Sequence, residues 1–147
     1  MPYETRKREG FSMPHLTIDC SEQLADAVDR PALLRELHRL VLADSGSTGV
    51  CKTVFRRAET YVGDGAGGFV HVEVGLMPGR SEALKARLSE RILALLVAHL
   101  PAAGAGGTTC SAEVRDLAGS YRLFPTARPA RTAAAPVGER PSAARAR

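Results

Sequence analysis

The sequence predicts an α+β fold in which two β-α-β units build one four-stranded sheet with two helices on one face. Three observations lead there: short segments alternate apolar and polar residues, two longer segments repeat apolar residues at helical spacing, and the order strand, helix, strand occurs twice. In residues 14–20, Leu16, Ile18 and Cys20 face one way and Thr17 and Asp19 the other, the period-2 pattern of a half-buried strand. Asp29 then offers an N-cap, Pro31 suits a first helical turn, and Leu33, Leu37, Leu40 and Val41 recur at helical spacing until Gly46. A second strand is expected from Val50 to about Arg57.

The glycine-rich residues 63–68 read as a turn and not as a phosphate loop, because a strand follows them instead of a helix. That third strand spans residues 69–76, with Val70, Val72, Val74 and Leu76 on one face. Pro78 and Gly79 turn the chain, Ser81 can cap, and Leu84, Leu88, Ile92, Leu95 and Leu96 trace a second helical face that ends near Pro101. After a loop at residues 104–107, a short last strand covers residues 110–114, and Tyr121, Leu123 and Phe124 are expected to pack at an edge or a subunit contact. A helix that joins two strands of one sheet favours parallel pairing within each unit, through a right-handed crossover. With both helices on one face, the other face lacks cover within the chain, and a second copy is the expected cover.

At 147 residues the chain suits one domain. Residues 1–12 are expected to be an N-terminal extension, disordered or not translated, residues 13–124 the folded domain, and residues 125–147 a disordered basic tail. The net charge of +4 gives little reason to expect nucleic-acid binding. From Pro125 onward five arginines (Arg128, Arg131, Arg140, Arg145 and Arg147) face one acid, Glu139, so the excess sits in the tail and the fold is close to neutral. No apolar run reaches the roughly 20 residues of a spanning helix, and no apolar segment follows Arg6, Lys7 and Arg8 as a secretory signal would require, so a soluble, cytoplasmic protein is expected. Cys20, Cys51 and Cys110 are odd in number and far apart, and His15, His38, His71 and His99 are equally scattered, which argues for buried thiols and against a disulfide framework or a metal site.

Met13-Pro14-His15-Leu16 opens the first strand and Gly49-Val50 the second, which residues 61–65 close; Phe69-Val70-His71-Val72 opens the third, and Gly79-Arg80 precedes the second helix. Taken in this order, these residues resemble the 5-carboxymethyl-2-hydroxymuconate isomerase family of the tautomerase superfamily, over a span from about Met13 to Phe124. The resemblance implies a tautomerase-like fold, a homotrimer, and isomerisation of an unsaturated di- or tricarboxylate by the amine of an N-terminal proline, without metal or organic cofactor. It also implies a place in the catabolism of an aromatic acid, homoprotocatechuate.

The resemblance makes Pro14 the catalytic residue. Moving a proton between a dienol oxygen and carbon needs a base of near-neutral pKa, and an α-amino group at about 7.7–8.0 is already close. Burial or a neighbouring cation lowers it further. Arg80 matches the family's arginine in the Gly-Arg turn and is expected to bind a substrate carboxylate, as guanidinium groups do in bidentate fashion. Where the family has an arginine soon after Gly-Ile, this chain has Cys51, so Lys52, Arg56 and Arg57 are the neighbouring substitutes, although Lys52 faces opposite to Cys51 in a regular strand. His71 matches a family histidine but reads as a structural one, and Glu59, Asp64 and Glu73 are left outside the site. Proline needs a free nitrogen to act as base, so the natural start is expected at Met13, or the extension is expected to be removed. The main alternative is a catalytically silent trimer of the same fold, used for binding or assembly. A third reading, a nucleic-acid partner for the arginine tail, lacks any stacking platform or reading motif.

Overall fold

The computed structural model describes residues 13–47, 50–61, 63, 67–101 and 107–123. The elements run β1 (His15–Ser21), α1 (Glu22–Ala27), α2 (Arg30–Ser45), β2 (Lys52–Ala58), β3 (Phe69–Leu76), α3 (Glu82–His99) and β4 (Thr109–Asp116). The extension at 1–12, most of the glycine-rich turn, the loop at 102–106 and the tail lie outside the described residues. Among the described residues no helix is long and apolar enough to cross a membrane.

The strands form one sheet in the order β2-β1-β3-β4. Pairing is parallel within each unit, β1 with β2 and β3 with β4, as the crossover argument requires. The units join through antiparallel β1 and β3, with Leu16 opposite Val74 and Ile18 opposite Val72. Leu16, Ile18, Val72 and Val74 meet Leu33, Leu37 and Val41 of α2 and Leu88, Ile92 and Leu96 of α3 in a single buried cluster, which places both helices on one face. Ile18, Leu37, Val72 and Ile92 have no exposed surface, and each such side chain contributes about 1.5–3 kcal/mol on leaving water. The opposite face presents His15, Thr17 and Asp19 of β1 beside Lys52, Val54 and Arg56 of β2, with His71 and Glu73 of β3 and Ser111 and Glu113 of β4 on the other side.

The helix ends follow the predicted caps. Asp29 accepts a hydrogen bond from the Ala32 amide, Ser81 from the Leu84 amide, and Gly46 closes α2 at φ 66°, a left-handed conformation that glycine adopts without penalty. Helix α1 is the element that periodicity did not show: six residues bury only Leu24 and Ala25, too few to define a face. Its N-cap, Ser21, makes no cap bond because its Oγ accepts instead from the Phe69 amide at 3.0 Å, tying the end of β1 to the start of β3.

Candidate active site at the start of β1

Because β3 runs antiparallel to β1, the C-terminal ends of β3 and β4 lie beside the N-terminal ends of β1 and β2. Pro14 precedes β1 at this end and its side chain is fully buried. Its carbonyl accepts the Lys52 amide at 3.0 Å, fixing the start of β2 against it. His15 and Lys52 are register partners on the open face. The Lys52 side chain is exposed and has no carboxylate partner among the described residues.

His15 is held by a residue far along the chain: its Nε2 and the Tyr121 hydroxyl lie 2.9 Å apart, and the two rings meet edge to face at 5.2 Å. Burial, and secondarily the charge of Lys52, hold the imidazole pKa below its usual 6.5, because both disfavour the charged form. Gly75, opposite His15, leaves the space that Leu117 fills; a Cβ there would meet Leu117 Cδ2 at 2.6 Å. The sequence places Tyr121 at an edge; its pairing with His15 joins residues 106 positions apart and has no local signal.

Arg80 reaches the same end and works as a clamp. Its Nε donates to the Ser45 carbonyl at 3.0 Å, Nη1 to the Met77 carbonyl at 3.0 Å, and Nη2 to Ser47 Oγ at 3.2 Å. The Ser45 carbonyl belongs to the last turn of α2, where backbone acceptors lack intrahelical partners and a cation is favoured. Two of the five guanidinium N–H groups remain for a ligand. Arg56, by contrast, lies four residues along β2 from Lys52, about 13 Å at strand rise. It is closed onto Asp19 by two bonds, Nε to Oδ1 at 2.7 Å and Nη2 to Oδ2 at 3.0 Å, which lower the Asp19 pKa. Arg57 pairs with Asp26. The structure thus gathers Pro14, Lys52 and Arg80 at one end and leaves Arg56 at the other.

Cys20 and Cys51 are buried and Cys110 half-buried; burial pushes the Cys20 and Cys51 thiols up to about 11, so neither is a ready nucleophile at neutral pH. On the open face, ligating atoms of His71, Glu73 and Glu113 lie within 4.8 Å of one another. His71 Nδ1 is 2.7 Å from Ser111 Oγ and Glu73 is paired with Arg115 at 2.7 Å, so two of the three already have protein partners. A concavity of about 620 Å³ lies on the outer side between α2 and α3; Asp44 and Arg91 pair within it, Glu36 and Arg39 also line it, and it contains none of the strand-end groups.

A duplicated β-α-β unit whose first strand opens on a buried proline, with cations at the same sheet end, defines a protein of the tautomerase class. The 5-carboxymethyl-2-hydroxymuconate isomerase family matches residues 14–124, and the chain belongs to that family. It is similar to the crystal structure of a 5-carboxymethyl-2-hydroxymuconate isomerase from Deinococcus radiodurans R1, at 28% identity and TM-score 0.66 over 78% of this chain and 91% of the other. A 5-carboxymethyl-2-hydroxymuconate delta-isomerase aligns at 26% identity and TM-score 0.64, over 76% and 87% of the two chains. A fused 4-OT described as a symmetric trimer shares the fold at 21% identity and TM-score 0.57, over 70% and 85%. No curated protein sequence matches the chain at a significant level.

Proposed function

We propose that this protein is an isomerase that converts a 2-hydroxymuconate-type dienol carboxylate to its unsaturated keto isomer, with the Pro14 amine as the base. The observation that carries this reading is the coincidence of the family match, which begins at Pro14, with a fully buried proline at the sheet end that also holds Lys52 and Arg80. The free amine takes the dienol hydroxyl proton, the oxygen lone pair forms the carbonyl, and the displaced π electrons accept the proton back from the prolinium at carbon. Burial and the nearby ammonium of Lys52 favour the neutral amine. Lys52 and the two remaining N–H groups of Arg80 bind the substrate carboxylate and the developing enolate. Arg56 is a carboxylate ligand only if it leaves Asp19. The polar open face of the sheet is covered by two further copies in a homotrimer, a reading supported by the fused 4-OT of the same fold that is described as a symmetric trimer. Placement in aromatic-acid catabolism belongs to the same proposal.

A second reading, a silent trimer used for binding, is favoured by two observations: the Pro14 nitrogen is an amide with Met13 in the full chain, and Arg80 is already bonded three times to protein atoms. One experiment separates the two. Protein starting at Met1 and protein starting at Met13, with termini established by mass spectrometry and assembly by light scattering, are assayed for ketonisation of a 2-hydroxymuconate dienol. The expected result is activity only in the form with a free Pro14 amine, and a loss of about 10²–10⁴ in rate on Pro14→Ala with assembly kept. Equal activity with the extension intact removes Pro14 as the base; no activity in either form leaves the silent trimer.

A further inference from the structure

A second cavity, of about 320 Å³, opens at the free edge of β2, lined by Leu34, Arg35, His38 and Arg39 of α2 and by Cys51 and Thr53. Its size is at the lower end of small-molecule sites. Its floor is apolar, with half-buried Leu34 and the buried Cys51 thiol, while Arg35 and Arg39 are exposed at the rim. Arg35, His38 and Arg39 stand at i, i+3 and i+4 on one helical face, where like charges four apart repel. No carboxylate lines the cavity, and neither arginine has an ion-pair partner among the described residues. By contrast, Arg56, Arg57, Arg91 and Arg115 are each closed onto an Asp or Glu. Cys51 immediately precedes Lys52, whose amide bonds the Pro14 carbonyl, so the cavity floor and Pro14 are neighbours across β1 and β2, about 4.8 Å apart at strand spacing.

We propose that this cavity is a carboxylate-binding site, in which Arg35 and Arg39 hold the anionic end of a small organic acid whose hydrocarbon part lies on Leu34 and Cys51. Two unpaired guanidinium groups over an apolar floor select a carboxylate with a short carbon chain over a bare inorganic anion, which gains nothing from Leu34. The Thr53 hydroxyl bonds the Cys51 thiol on the strand side and holds it in the floor. The statement that this acid is the far end of the isomerase substrate, with its reacting carbons toward Pro14, rests on the proposed function. The anion site itself does not.

The test uses the full chain and adipate, a six-carbon saturated dicarboxylate that has no dienol to isomerise. Amide chemical shifts are followed by nuclear magnetic resonance as adipate is added. Saturable shifts are expected at Leu34, His38, Cys51 and Thr53, with affinity about tenfold weaker or worse in the Arg35→Ala/Arg39→Ala double variant. They are expected unchanged in Arg87→Ala, which removes an exposed charge on α3 and controls for net charge. Circular dichroism checks that the variants stay folded. Absence of saturable shifts, shifts that survive in the double variant, or an equal response to inorganic phosphate would each overturn the site. Where the form with a free Pro14 amine is active, a tenfold rise in KM for a dicarboxylate dienol in the double variant, with kcat kept, supports the link to the substrate; an unchanged KM removes that link. Adipate binding in an inactive protein leaves the site standing and removes the isomerase reading alone.

Discussion

The two β-α-β units share a topology and a core but handle their cations differently. In the second unit the cations that reach the sheet are closed: Lys85 of α3, buried to 7% exposure, bridges Glu82 at 2.5 Å and Asp116 of β4 at 3.3 Å, and Arg115 of β4 pairs with Glu73 of β3. In the first unit they are closed only far from Pro14, where Arg56 meets Asp19, Arg57 meets Asp26, and Arg30 lies 4.8 Å over the Phe55 ring. Toward Pro14 the same unit leaves Lys52, Arg35 and Arg39 without carboxylate partners among the described residues. A duplicated pattern of strand and helix therefore reproduces the scaffold, while the placement of a few acids decides which half has its cations neutralised and which leaves them open.

The comparison holds only if the two units melt as one body, and this is where the largest effect is expected. Leu37 on α2 and Ile92 on α3 are both fully buried in the shared cluster, so Leu37→Ala and Ile92→Ala should each lower unfolding stability by about 2–5 kcal/mol. Denaturant melts followed by circular dichroism should show a single transition in both variants. A second transition in either one would mean that the units are separable.

A smaller effect sharpens the boundary between the halves, because Arg80 belongs to the second unit but clamps the first. Arg80→Ala removes charged bonds to the Ser45 and Met77 carbonyls and should cost about 1.5–3 kcal/mol of stability, read in the same melts. Arg80→Lys should recover only part of it, since an ammonium cannot reproduce the fork. Unchanged stability in Arg80→Ala, together with lost carboxylate binding, would make Arg80 a ligand group and not a clamp.

The smallest effect concerns His15. Its folded-state pKa lies below the ordinary 6.5, so the unfolded chain binds the proton more readily, and stability is lost as pH falls below about that value toward the folded pKa. Asp19 acts in a separate window, since its lowered pKa costs stability only as pH falls below 3.8. Melts from pH 7.5 to 5 should therefore show a modest decline that is reduced in His15→Gln. An identical decline in that variant would assign the effect to another group.

The sequence by itself determined the pieces. Periodicity marked all four strands and both long helices, and Asp29, Gly46 and Ser81 cap where their side chains or backbone freedom require, because these effects act within a few residues. The family resemblance singled out Pro14, Arg80 and, as substitutes near Cys51, Lys52 and Arg56; the fold sets the first three at one end of the sheet and Arg56 farther along β2. Tertiary structure alone decided how those side chains are engaged. The antiparallel junction of β1 and β3 carries Arg80 to the end of α2 and sets Tyr121 against His15. The parallel register of β2 puts Arg56 on Asp19, and the packing of α2 along the β2 edge opens the cavity between Arg35, Arg39 and Cys51. These contacts depend on register and strand order, which join residues dozens of positions apart and leave no period in the sequence to read.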